Sequence, residues 1–299
     1  MTHQKRLRQL PLHLMLLPGV VFTLIYSYGP MAGLVMAFQN FNFAQGIFKS
    51  PWVGLDNFKY VFAMPDIFQV IWNTVFISLL KIIGNLIVPI IFALLLNEVR
   101  NRAVKKTVQT IIYLPNFLSW VIIGGIMIDV LSPSTGIVNQ LLKAIGVQPV
   151  YFLGDPNCFP YTMVVTDVWK NFGFETVIYL ASLTGIDPTL YEAARVDGAN
   201  RWQQTLHVTL PGMVPIILLT TVLSMGNILN AGFDQIFNLY SPQVYSTGDI
   251  LDTMVYRMGM VDAQYSVATA IGLFKSVVSM VFVVASYILA DKAAHYKVL

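Results

Sequence analysis

Apolar residues gather into six long runs along the chain, with shorter polar stretches between them. A hydrocarbon core about 30 Å thick takes about 20 helical residues to cross, and each run is long enough. The runs cover residues 11–38, 67–97, 107–128, 160–183, 209–233 and 265–290. Lys81 and Pro89 interrupt the second. The fourth is the most polar, holding Asp167, Lys170 and Glu175, and the sixth carries Lys275. This pattern predicts an all-α integral membrane protein with six transmembrane helices. The first run is about twice as long as a signal-peptide core and no small-residue cleavage site follows it cleanly, so it is expected to remain as the first helix.

Composition narrows the class further. The 299 residues are 56% hydrophobic and 11% charged, against about 25% charged for a soluble domain. A soluble fold would lack the polar surface to cover itself. Cys158 is the single cysteine, which excludes an internal disulfide and a cysteine-based metal cluster. The net charge of +3 is small, and no basic cluster interleaved with aromatics points to nucleic acid. The placement of the charges matters more. Eleven lysines and arginines fall at the two termini and in the second and fourth connections, and four fall in the other three. The positive-inside rule then puts both termini in the cytoplasm. The expected organisation is a cytoplasmic segment at 1–10, a membrane domain at 11–290 and a cytoplasmic tail at 291–299. The outer loops, at about 39–66, 130–159 and 234–264, are long enough to fold over the outer face.

The fourth connection is unlike the others. Residues 187–211 read DPTLYEAARVDGANRWQQTLHVTLP. Asp187 is a good N-cap and Pro188 suits the first helical position. A short helix should follow to Arg195, ended by Asp197 and by Gly198, which can turn left-handed. Asn200 can cap a second helix bearing Trp202, Leu206 and Val208, and Pro211 and Pro215 mark entry to the fifth run. Ala193 and Ala194 form a small-residue face able to lie deep in a groove, with the Glu192 carboxylate nearby. Physical chemistry alone leaves two readings open, an ordinary cytoplasmic helical hairpin and a docking element.

The stretch EAARVDGANRWQQTLHVTLP resembles the coupling signature of permease subunits of bacterial ABC importers. Glu192, Ala193, Ala194, Asp197, Gly198, Ala199, Leu210 and Pro211 match it, while Trp202 and Val208 stand where the family often has Phe and Ile. The likeness covers nearly the whole chain. LMLLPGVVFTLIYSYGPMAGLVMAFQNF and LLLNEVRNRAVKKTVQTIIYLPNFLSW are similar to the carbohydrate branch. FDQIFNLYSPQVYSTGDILDTMVYRMG looks like the subgroup for complex oligo- and polysaccharide fragments, which includes alginate-oligosaccharide importers. The resemblance implies a type I ABC importer permease in the bacterial inner membrane, with a cytoplasmic coupling loop at 184–208. It further implies a second homologous permease, two ATPase subunits holding ATP and Mg²⁺, an extracytoplasmic binding protein and an oligosaccharide substrate, acidic in the alginate case. The chain has no GxxxxGK[ST] phosphate loop, so it is expected to hydrolyse nothing itself and to bind no cofactor.

Polar residues inside the runs are the candidates for a sugar route. Charge at a membrane helix centre costs about 2.5–3.5 kcal/mol on insertion scales, so such groups face a bundle interior or a wet cavity. Asn227, Asn230 and Asp234 recur at i, i+3 and i+7, one face of a continuous fifth helix. Lys81 and Lys275 are the cationic candidates for an acidic sugar. The competing reading is interhelical hydrogen bonding, worth about 0.6 kcal/mol per bond. Asp249 and Asp252 in the last outer loop are either paired carboxylates for a metal or loop structure. The four histidines form no HExxH pair. A stand-alone ion-coupled transporter is the alternative function, yet repeated halves of the kind such transporters show are not visible. An intramembrane enzyme would need a reactive pair within a span, and none is evident. The topology is testable: a cysteine at Asn200 should react with an impermeant thiol reagent only from the cytoplasm and one at Gln148 only from outside. Labelling of both from one side refutes six spans.

Overall fold

In the computed structural model, backbone is described for residues 3–294 and side chains for residues 13–288. The expected cytoplasmic tail and amino-terminal segment lie mostly outside the described side chains. The elements are helical throughout this range apart from one isolated bridge, Gln39 to Trp52. Four helices are long and apolar enough to cross a membrane, and a bent pair raises that to five. The run at 160–183 forms a 25-residue helix, Phe159–Leu183. Its three charged residues make it too polar to count with the others.

The chain divides into two compact units. The first comprises Met1–Met64 and Val255–Phe274. Helix α1 (His3–Thr23) continues through a π turn at Leu24–Tyr28 and a 3₁₀ stretch at Gly29–Phe38, where Pro30 enters. Its side chains from residue 13 to residue 30 are exposed and largely apolar, as suits a helix with lipid for solvent. The segment expected as the first outer loop is folded. Trp52 stacks on Phe38, with ring centroids 5.6 Å apart, and Asn57 of α2 (Asp56–Ala63) donates to the carbonyls of Ala37 and Gln39.

The second unit comprises Pro65–Met254 and Lys275–Leu299. Its backbone is the packed pair α3 (Ile67–Glu98) and α7 (Phe159–Leu183). Between them lie α4 (Arg102–Phe117), α5 (Trp120–Val130) and α6 (Ile137–Ala144). After α7 come α8 (Pro188–Val196), α9 (Arg201–Met225), α10 (Phe233–Leu239), α11 (Leu251–Tyr256) and α12 (Tyr265–Ala294), the last two shared with the first unit. One apolar cluster sets Ile77, Ile123, Met163 and Ile236 together, and a second joins Ala93, Tyr179, Leu183 and Met213. Pro89 lacks the N–H that would serve the Asn85 carbonyl of α3, and the Thr176 hydroxyl of α7, which donates to its own Phe172 carbonyl at 2.6 Å, also lies 3.4 Å from the Pro89 carbonyl.

Two expected continuous helices are broken. The third run splits into α4 and α5 at a 104° bend. Pro115 tightens the last turn of α4 to 3₁₀, and the Ser119 hydroxyl caps α5 by accepting from Ile122 N–H. The fifth run stops at Met225, and residues 226–232 are irregular before Gly232, at φ +90°, opens α10. The outer stretch 234–264 was expected as a loop, yet its Gln235, Ile250 and Leu251 are each 0% exposed. Apolar periodicity runs across both breaks and does not reveal them; Pro115, Ser119 and Gly232 mark them locally.

Glycine sets how closely α7 approaches α4. A Cβ on Gly173 would stand 2.0 Å from the carbonyl oxygen of Ile112, backbone that cannot step aside. Gly173→Ala should therefore lower stability by about 1–3 kcal/mol, as overpacking does. Gly125→Ala, with nothing within 4 Å of its added Cβ, should leave the melting temperature of the detergent-purified protein unchanged.

Candidate functional site

The two helix breaks and the α3–α7 pair converge on one polar cluster. Lys81 is 6% exposed. Its Nζ donates to the Ala231 carbonyl at 2.7 Å and to Gln235 Oε1, and lies 3.3 Å from Asp167 Oδ1. Asp167 Oδ2 accepts from Asn85 at 3.0 Å and from Asn171 at 3.3 Å. Gln235 Nε2 is shared by the Met163 carbonyl and the Thr166 hydroxyl, at 2.8 and 2.7 Å. The chain of bonds reaches the other break. Asn116 donates to Asn171 at 3.1 Å, and Lys170 donates to the Asn116 carbonyl at 2.9 Å while lying over the Trp120 ring. Each lysine thus supplies a donor to a carbonyl at a helix break.

Beside this cluster lies a cavity of about 160 Å³ lined by Ser78, Lys81, Ile82, Asn85, Asp167, Glu175, Ser224, Asn227, Asn230 and Gly232. Its lining holds two buried polar atoms without a hydrogen-bond partner, Ser78 Oγ and Asn85 Oδ1. Buried polar groups are nearly always paired. Two orphans in one cavity mark a place where a polar guest or water belongs.

The sequence-derived candidates fare unequally. Lys81, Asn227 and Asn230 line this cavity together. Asp234 does not, because the helix ends at Met225 and the three residues share no helical face. Asp234 instead starts α10 and is exposed. Lys275 is elsewhere, paired with Asp252 at 2.5 Å. Both lysines are paired with carboxylates, Lys81 with Asp167 and Lys275 with Asp252. Asp249 accepts from the Thr253 hydroxyl at 2.7 Å, and among the described residues no group of three His, Cys, Asp or Glu could hold a metal. Asp167 and Glu175, the acidic residues of the fourth run, line the cavity too, with Asn85, Ser78 and Ser224 beside them. Lys81 with Asn85, and Asp167 with Asn171, are i, i+4 pairs on single helix faces. Gln235, an amide just past the fifth run, joins the polar cluster, while Ser78 and Ser224 carried no signal in the sequence.

The coupling candidates form a second site at the other end of α7. Asp187 accepts from Thr189 N–H at 2.9 Å, a bond that holds its carboxyl below the usual range. Helix α8 ends in a Schellman motif, with Ala199 N–H to the Ala194 carbonyl and Gly198 N–H to the Arg195 carbonyl, and Gly198 at φ +79°. Asn200 and Gln203 form a reciprocal capping box that starts α9. Tyr191 and Thr209 bond at 3.0 Å and tie α8 to α9. Glu192, Ala193, Asp197 and Gly198 are exposed, Ala194 and Ala199 partly so. A hollow of about 320 Å³ is lined by Ala194, Asp197, Gly198, Ala199, Gln203, His207 and Val208.

Comparison with known proteins gives a consistent picture. Residues 86–295 match the family model for the binding-protein-dependent transport system inner membrane component. The chain is 39% identical over 281 residues to Protein LplB of Bacillus subtilis (strain 168), covering 94% of this chain and 88% of that one. It is 39% identical over 288 residues to the polygalacturonan/rhamnogalacturonan transport system permease protein YteP of the same organism, covering 96% and 90%. A solved bacterial ABC transporter involved in the import of the acidic polysaccharide alginate superposes with a TM-score of 0.89 at 41% identity, covering 97% of this chain and 98% of that chain. The bacterial alginate ABC transporter in complex with alginate pentasaccharide-bound periplasmic protein also gives 0.89, at 40% identity over 99% of both chains.

The burial of Lys81 yields a prediction. Lys81→Met strands Asp167, Gln235 Oε1 and the Ala231 carbonyl, and removing one partner of a buried pair costs about 3–5 kcal/mol. Thermal melting should fall accordingly. Lys81→Met combined with Asp167→Leu should recover part of the loss.

Proposed function

The chain belongs to the family of inner-membrane components of binding-protein-dependent transport systems, and from that premise we propose that it forms one wall of the sugar route in an ABC importer for oligosaccharides. As such a component it is the transmembrane permease, and ATP hydrolysis belongs to a separate subunit. In this reading a second, homologous permease completes the route, and two ATPase subunits, with their ATP and Mg²⁺, dock against the 184–208 loop. Both termini and that loop face the cytoplasm. The binding protein delivers from the opposite side. Relatives named for alginate and for polygalacturonan favour an acidic oligosaccharide.

One observation carries the proposal: two of the three helices that line the cavity, α7 and α9, flank the exposed coupling segment. Glu175 of α7 and Ser224 of α9 reach the cavity, and α8 lies between those two helices in the chain. A push on α8 is passed to both cavity walls as a rigid-body tilt. The cavity supplies amides, hydroxyls and a carboxylate for sugar hydroxyls. Its two orphaned atoms support occupancy by a polar guest.

The whole importer in proteoliposomes tests both ends. Glu192→Ala and Gly198→Pro should preserve insertion and permease assembly but weaken ATPase attachment or substrate-stimulated hydrolysis, because they deform the docking helix alone. Asn230→Leu should lower uptake in a well-assembled complex while basal hydrolysis persists. Normal stimulated hydrolysis in both coupling variants overturns the docking assignment, and unchanged uptake in a well-assembled Asn230→Leu complex removes the cavity from the route.

A further inference from the structure

The ionisable groups around the cavity are not all paired. Three ionisable side chains line it: Lys81, Asp167 and Glu175. The Lys81 ammonium and the Asp167 carboxylate neutralise each other at 3.3 Å. Lys170, the lysine of α7, turns to the Asn116 carbonyl and the Trp120 ring. No hydrogen bond or ion pair from the described residues reaches Glu175. It stands eight residues beyond Asp167 on the same helix, about 12 Å along the axis.

We propose that Glu175 reads substrate charge in this cavity. In its ionised form the side chain accepts hydrogen bonds from the hydroxyls of a sugar ring and repels the carboxylate of an acidic unit. The proposal rests on the cavity being part of the sugar route. Two facts shape it. First, a carboxylate offers acceptors only, so it complements vicinal hydroxyls, which donate. Second, like charges in a partly desolvated cavity repel far more than in water, enough to change occupancy about tenfold or more at close range. A neutral oligosaccharide meets no penalty here. An acidic one must present its hydroxyl edge to this permease and carry its carboxylates toward another wall. Glu175 thereby orients an acidic chain and sets how strongly neutral chains compete with it.

Proteoliposomes holding the whole importer, with its binding protein, test this with pentamannuronate and its carboxyl-reduced neutral counterpart at equal concentration. The readout is the acidic-to-neutral uptake ratio, compared between variants so that delivery by the binding protein cancels. Glu175→Gln keeps the shape and loses the charge, and it should raise that ratio about tenfold. Glu175→Asp keeps the charge and should hold the ratio near that of the parent. An unchanged or lower ratio in a well-assembled Glu175→Gln complex overturns the proposal. If Asn230→Leu still lowers uptake of both sugars in that case, the route reading stands and only the role of Glu175 fails. If Asn230→Leu and Glu175→Gln both leave uptake of both sugars unaltered, the route reading fails and takes this proposal with it.

Discussion

A single ammonium group buried in the membrane sets the terms for the second unit. An unpaired charge in that environment is expensive, and Lys81 is made tolerable by three acceptors from three places in the chain: Asp167 of α7, the Ala231 carbonyl at the end of a broken helix, and Gln235 of α10. Each acceptor has its own reason to be there. The Ala231 carbonyl lies in the irregular stretch where no helical N–H can reach it. Asp167 needs a cation. Gln235, 0% exposed, needs partners on both sides of its amide and finds the others at Met163 and Thr166. The cluster therefore locks α3, α7 and the α9–α10 break into one arrangement, because moving any one member strands the rest.

The same device recurs at the α4–α5 break, where Lys170 serves the Asn116 carbonyl. Non-helical backbone at membrane depth is tolerated only where it is buried in protein or lines a wet cavity. Here the lysines supply the missing donors and the breaks bring side-chain amides to the cavity wall. Helix interruption and intramembrane charge are thus two halves of one solution. Either alone would cost several kcal/mol.

The arrangement also explains why cavity and docking segment share a scaffold. The α3–α7 pair is packed tightly enough that a Cβ on Gly84 would stand 2.6 Å from the Val168 side chain. The end that leads into α8 is closed by the cluster of Ala93, Tyr179, Leu183 and Met213. Helix α8 follows from that end, capped at both termini and tied to α9 through Tyr191 and Thr209. In the proposed coupling role, a tightly packed pair joined to a capped helix would lose little displacement to local bending.

Sequence alone determined a good deal of this. Long apolar runs identify the membrane class because bilayer thickness fixes the length a helix needs. The coupling segment was legible residue by residue, from the Asp187 cap through the Gly198 turn to the Asn200 cap, because capping is local and depends on a few neighbouring backbone groups. Lys81, Asn227 and Asn230 stood out as polar groups in apolar runs. Tertiary structure decided what the runs could not encode. A break in an apolar run frees carbonyls whose partner is distant in sequence: Lys81 stands 150 residues from the Ala231 carbonyl it serves. The exclusion of Asp234 from the cavity, the engagement of Lys81 and Lys275 by carboxylates, and the burial of Gln235 within an apparent loop all follow from such long-range pairings. Periodicity records which way a residue faces along its own helix, and only packing determines what it meets there.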